Sequence, residues 1–112
     1  MSKVKEAVLA IFFTLFALSA FAQTGSVRGR IIDAKTKRPL EFVNVSIRAT
    51  GTQTPLTGTV SDSTGVFRIN RVKNGTYTLT ASFIGYKSVE KEFTISPTAR
   101  NVNVKNILLE ED

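Results

Sequence analysis

From Gly75 to Lys87 the chain alternates with period two. Tyr77, Leu79, Ala81 and Phe83 are apolar, and Thr76, Thr78, Thr80 and Ser82 between them carry hydroxyls. Successive side chains of a strand point to opposite faces, so this run predicts a long central β-strand with one dry and one wet face. Its β-branched and aromatic residues suit a pleated, half-buried surface. Asn74-Gly75 reads as the turn that launches the strand. Gly85, just before Tyr86, predicts a bulge or a close backbone approach. No group within the run is equipped for chemistry.

The same alternation recurs along the chain. Residues 26–33 place Val27, Gly29 and Ile31 against Arg28, Arg30 and Ile32, with Gly29 marking a bend or tight approach. Residues 41–49 place Val43, Val45 and Ile47 against Asn44, Ser46 and Arg48. Between them Pro39 fixes its own φ and keeps Arg38 out of helix. Residues 57–61 and 66–70, the latter with Phe67 and Ile69 inward, flank Asp62-Ser63-Thr64-Gly65. Asp62 can cap that turn and Gly65 can take a positive φ, so a hairpin is predicted. Two further strands are predicted over 86–95 (Val89, Phe93 and Ile95 apolar) and 101–109. Seven short strands with no helical periodicity among them predict an all-β fold, a seven-stranded antiparallel β-sandwich. The last strand, 101–109, is the expected sheet edge, open to strand addition by a partner.

Residues 1–22 read differently. Lys3 and Lys5 precede an apolar run over 7–21, and Ala20-Phe21-Ala22 has the small-x-small form of a signal peptidase site, so cleavage is expected between Ala22 and Gln23. The run is shorter than the ~20 residues that a spanning helix needs. The domain is then 23–112, and the chain is expected to be exported. The whole chain has 15 Lys and Arg and 9 Asp and Glu; without Lys3, Lys5 and Glu6 the domain keeps 13 and 8, a net charge of +5.

Those charges are dispersed at period two. With no helix, zinc knuckle or aromatic platform among them, nucleic acid is not an expected partner. The chain contains neither Cys nor His. This removes a lipid-bearing cysteine, disulfides, the usual zinc ligand sets and every Ser-His or Cys-His arrangement. The carboxylates Asp33, Glu41, Asp62, Glu90 and Glu92 are spread over turns and strand faces, with no acid/base couple among them. No catalytic residue, metal or small-molecule cofactor is expected.

Three segments in order, 25–47, 58–69 and 75–95, resemble the carboxypeptidase regulatory-like domain, a transthyretin-like sandwich. The resemblance rests on Gly29 and Asp33 with Pro39-Leu40 and Val43-Val45, and on Thr59-Val60 with Asp62 through Gly65 to Phe67. It continues with Gly75-x-Tyr77-x-Leu79 and Ile84-Gly85-Tyr86, and spans 25–109. The resemblance implies a non-catalytic module. Directly after a signal peptide, it implies the periplasmic N-terminal extension of a TonB-dependent receptor or related outer-membrane β-barrel protein of Bacteroidetes-type bacteria. Its partner would be a cell-envelope protein, the plug and barrel of the same or another chain, and membrane association would run only through that partner. Whether the sequence is a fragment of such a receptor or a free-standing protein stays open.

Tyr86 is a candidate ligand-stacking platform, or else packs over Gly85. Asp62 with Gly65 is a candidate calcium site, or else a capped turn. Asp62-Ser63-Thr64 resembles the O-glycosylation acceptor of those bacteria, placing Ser63 at an accessible turn tip. The alternative function is a carbohydrate-binding module of a secreted or cell-surface protein, with Tyr86 and Phe42 as its exposed aromatics.

Overall fold

The computed structural model describes residues 24–112. The expected leader over 1–22 and its cleavage point at Ala22 and Gln23 lie outside the described residues. Seven strands follow one another: β1 (Thr24–Asp33), β2 (Asn44–Ala49), β3 (Thr57–Val60), β4 (Val66–Lys73), β5 (Gly75–Ser82), β6 (Val89–Ile95) and β7 (Asn101–Leu109). They form a three-stranded sheet, β4-β1-β7, and a four-stranded sheet, β3-β2-β5-β6.

The alternating residues meet between these sheets. Val27, Ile31, Phe67, Ile69, Val104, Ile107 and Leu109 come from the three-stranded sheet. Val45, Ile47, Tyr77, Leu79, Ala81, Phe93 and Ile95 come from the other. The dry face expected on β5 is therefore real, and β5 sits between β2 and β6. Tyr77 stacks on Phe93 with ring centroids 5.5 Å apart. Its hydroxyl donates to the Lys73 carbonyl at 2.7 Å, which holds the crossing from β4 into β5.

Pairing departs from the all-antiparallel expectation at one place. β1 runs parallel to β7, from Ser26 opposite Asn101 to Asp33 opposite Leu109. The other pairs are antiparallel. β7 is an edge strand, as its sequence suggested. It carries an extra residue opposite Gly29 and a Lys105 at φ 63. Bulges and edge lysines are devices against uncontrolled strand addition.

The expected hairpin over 57–70 does not form. β3 and β4 belong to different sheets, and the Asp62–Gly65 turn carries the chain across the sandwich. The turn residues look alike whether the flanking strands pair or part. Ser61 helps to part them. Its buried hydroxyl donates to the Leu40 carbonyl at 2.6 Å and accepts from the Val43 N–H at 2.9 Å, tying the β3 end to the β1–β2 connection.

Three strand ends also differ. Glu41 and Phe42 precede β2 rather than open it; Phe42 takes a left-handed φ of 64, and its N–H donates to the Ser61 carbonyl at 2.9 Å. β5 stops at Ser82, and Gly85 (φ 85) belongs to a turn closed by the Tyr86 N–H on the Phe83 carbonyl, not to a bulge. Tyr86 to Ser88 therefore lie outside β6. Ile32, expected to face outward, is buried where β1 meets Pro39.

Gly29 is the tight approach its position suggested. A Cβ there would stand 2.7 Å from Val104 Cγ2 and 2.8 Å from the Phe67 ring. Gly29→Ala is expected to cost about 1–3 kcal/mol of stability in urea unfolding, the usual penalty for overpacking a core. Adding Phe67→Leu is expected to recover part of that cost, giving the double-mutant cycle a favourable coupling. Additive losses would show that Phe67 is not what crowds the site.

Candidate functional site

The residues of the sequence signature gather mainly at one pole of the sandwich, where β1, β5 and β7 end and β4 and β6 begin. At its centre is Asp33, the last residue of β1, 5% exposed. One carboxylate oxygen accepts from the backbone N–H groups of Lys35 and Thr36, at 2.8 and 2.9 Å. The other accepts from the Tyr86 hydroxyl at 2.6 Å, across a sequence separation of 53 residues. A carboxylate held by several donors is stabilised in its charged form. Asp33 is accordingly lowered from 3.8 to about 2, chiefly by the Tyr86 hydroxyl and then by the Thr36 N–H. The same bond, with burial and the negative charge of Asp33, raises Tyr86 from 10.0 to about 12.

Backbone bonds complete the clasp. The Lys87 N–H donates to the Glu110 carbonyl, the Asp112 N–H to the Gly85 carbonyl, and the Ala34 N–H to the Leu109 carbonyl, each at 2.9 Å. The β5–β6 loop thus grips the segment that follows β7, while Tyr86 reaches over it to Asp33. The Tyr86 ring lies 5.8 Å from that of Phe83.

Beside this clasp lies the Asp62–Gly65 turn. Asp62 Oδ1 accepts from the Thr64 hydroxyl (2.7 Å) and from the N–H groups of Thr64 (2.9 Å) and Val66 (3.0 Å). The Thr64 hydroxyl leads in holding its carboxyl below the usual value, and Arg30 contributes through its charge. Gly65 (φ 79) packs so closely that a Cβ would meet the Ile31 carbonyl at 2.5 Å and Pro39 Cβ at 3.0 Å. Asp62 is thus the turn cap its sequence suggested. Ser63 is exposed at the tip. No group of three or more acidic residues able to hold a metal ion occurs among the described residues.

The structure joins Asp33 to Tyr86 and Pro39 to Gly65, and sets Phe67 against Gly29. Gly75 and Tyr77 it places at the opposite pole. Chemically the clasp is a hydrogen-bond network that satisfies the Asp33 carboxylate, with Glu111 near enough to Tyr86 to act on it through its charge. Sequence reasoning missed Ser61, which looked like an ordinary strand-end polar residue.

Comparison with known families settles the module. A family model, the CarboxypepD_reg-like domain, matches residues 27–112. The chain belongs to this family. No curated protein matches the sequence. Among solved structures, the family's fold recurs in the pilus 2b backbone protein of group B streptococcus (TM-score 0.63, 17% identity, covering 79% of this chain and 41% of that one). It recurs in BcpA, the major pilin subunit of Bacillus cereus (TM-score 0.65, 17% identity, 80% and 31%). A third case is the shaft pilin SpaA of Lactobacillus rhamnosus GG (TM-score 0.61, 20% identity, 80% and 48%). At these identities the likeness is one of fold, and this chain spans less than half the length of each pilin chain.

The two opposed shifts give the clasp a definite pH response. A depressed carboxylate contributes stability above its unfolded value and loses it as pH falls through the folded one. The Asp33 contribution is therefore lost between pH 3.8 and about 2. A raised phenol contributes below its unfolded value, so the Tyr86 contribution is lost between pH 10.0 and about 12. Tyr86→Phe is expected to lower the thermal midpoint at pH 7 and to flatten its fall on acidification. Parallel acid profiles for both proteins would show that the Tyr86 hydroxyl does not hold Asp33 ionised.

Proposed function

We propose that this CarboxypepD_reg-like domain is an exported, non-catalytic spacer and docking module of the cell envelope. In the finer reading it is the periplasmic N-terminal extension of a TonB-dependent receptor or related outer-membrane β-barrel protein. The observation that carries the spacer role is the parallel pairing of β1 and β7. Two parallel neighbours enter at one pole and leave at the other. A ten-residue β1 therefore separates the incoming from the outgoing chain by roughly 30 Å at the usual rise per residue. Antiparallel terminal strands would bring both ends to the same pole. The fold's occurrence in pilus backbone and shaft subunits supports a structural role.

For docking, the outgoing pole presents Ile84, 90% exposed beside Gly85 at the tip of the β5–β6 loop. A large apolar side chain held out on a loop whose backbone is clasped by the 110–112 segment is a natural anchor for a protein partner. The carbohydrate-module reading through Tyr86 draws little support here. Its hydroxyl is engaged by Asp33 and its ring neighbours Phe83, leaving Phe42, 65% exposed, as the one largely exposed aromatic among the described residues.

The tagged protein, expressed in a Bacteroidetes-type host, is expected to be cleaved after Ala22, to fractionate with the envelope, and to co-purify after crosslinking with an outer-membrane β-barrel protein. Ile84→Asp is expected to weaken that capture. An uncleaved cytoplasmic protein, or an envelope protein with no barrel partner, would overturn the assignment.

A further inference from the structure

The outer face of the three-stranded sheet carries a cluster of cations. Arg28 and Arg30 of β1 point outward there, and Arg28 stands directly opposite Arg68 of β4. Like charges directly opposite in an antiparallel pair destabilise a sheet. The ion pair of Arg48 with Glu90 lies on the other sheet. β1, β4 and β7 carry Asp33 as their only acidic residue, and it is buried at the clasp. Arg30 is partly occupied, its Nε donating to the Thr64 carbonyl at 2.9 Å. Arg28 and Arg68 form no ion pair among the described residues.

β7 adds two features to the same face. Its bulge places Lys105 in a left-handed backbone conformation, φ 63, that a non-glycine residue adopts at a cost. The conformation is held by the Lys105 N–H donating to Asn103 Oδ1 at 2.8 Å, which turns the Asn103 amide nitrogen into a spare donor. Asn106, beside Arg30 in the register, exposes its amide with no protein partner. Between these residues and Val66 lies an open depression of about 420 Å³, within the size range of small-ligand sites.

The mixture of groups selects the ligand. Guanidinium and ammonium groups call for carboxylates or sulfates. Side-chain amides both donate and accept, and so match the ring hydroxyls that a sugar presents between its carboxylates. No aromatic residue lies on the face, so recognition there is polar. We propose that the outer face of the β4-β1-β7 sheet binds an acidic oligosaccharide, with uronate carboxylates on Arg28, Arg68 and Lys105 and sugar hydroxyls on Asn103 and Asn106. The bound carboxylates neutralise the Arg28–Arg68 repulsion and use the strained Lys105. This site shares no residue with the Asp33–Tyr86 clasp and does not rest on the envelope placement.

The test is calorimetric titration of the purified protein with oligogalacturonate at low and at raised salt. Inorganic phosphate, polyglutamate, phosphatidylglycerol vesicles and neutral dextran serve as the other arms. Expected is oligogalacturonate binding that weakens with salt and exceeds every other arm. Arg28→Gln/Arg68→Gln is expected to weaken it at least about tenfold, the loss of one charge-assisted hydrogen bond or more. The same double variant is expected to melt no lower than the parent, since it removes a repulsion. Asn106→Ala is expected to weaken oligogalacturonate binding without changing any residual polyglutamate binding. Lys35→Gln/Lys37→Gln, which alters net charge equally at the clasp pole, is expected to leave binding unchanged. Absence of oligogalacturonate binding would overturn the proposal. So would equal or tighter binding of phosphate, polyglutamate or vesicles, or an affinity that tracks net charge rather than the face substituted.

Discussion

The position of β1 constrains everything else in this sandwich. It is the middle strand of its sheet, antiparallel to β4 on one side and parallel to β7 on the other. A parallel neighbour requires the rest of the chain to be wound between first and last strand before β7 can be laid down. That winding crosses between the sheets four times, at the β1–β2 connection, the Asp62–Gly65 turn, Asn74 and the β6–β7 connection, and so produces two layers and one shared core. Gly29 lets β1 approach Phe67 and Val104 closely enough for that core to fill. The two ends of the domain fall at opposite poles for the same reason.

Asp33 converts this arrangement from packed to fastened. It ends β1 and shapes the following turn with one carboxylate oxygen. With the other it takes the hydroxyl of Tyr86 from the far sheet. The backbone bonds from Gly85 and Lys87 to the 110–112 segment add the end of β7 to the same junction. One pole thus binds the first strand, the last strand and the β5–β6 loop. The opposite pole relies on Tyr77, whose hydroxyl secures the β4–β5 crossing.

Much of this was legible in the sequence because alternation reports which side chains are buried. Tyr77, Leu79 and Ala81 on β5, Val45 and Ile47 on β2, and Phe67 and Ile69 on β4 all face the core they were assigned to. The turn chemistry of Asp62 and Gly65 was likewise readable. Pairing was not, since period two says nothing about a strand's neighbour or its direction. The segments 57–61 and 66–70 therefore looked like a hairpin, and the sandwich as a whole looked antiparallel. The Asp33–Tyr86 bond was hidden for a related reason. Each residue stood out within its own motif, but their contact depends on the end of β1 and the β5–β6 loop meeting at one pole. The left-handed Phe42 and Lys105 carried no sequence signal, because neither is a glycine or an asparagine.

The most direct test of the account is mechanical, because a pole-to-pole module loads its β1–β7 hydrogen bonds together in shear. Bonds sheared together resist more than bonds opened one after another. The chain has no cysteine, so Thr24→Cys with Asp112→Cys, and Thr24→Cys with Lys73→Cys, provide two clean pulling geometries for single-molecule force spectroscopy. The first draws β1 and β7 past each other; the second opens the β1–β4 ladder from its Thr24–Lys73 end. The account predicts a clearly higher unfolding force along 24–112 than along 24–73. Equal forces, or a weaker 24–112 axis, would contradict it.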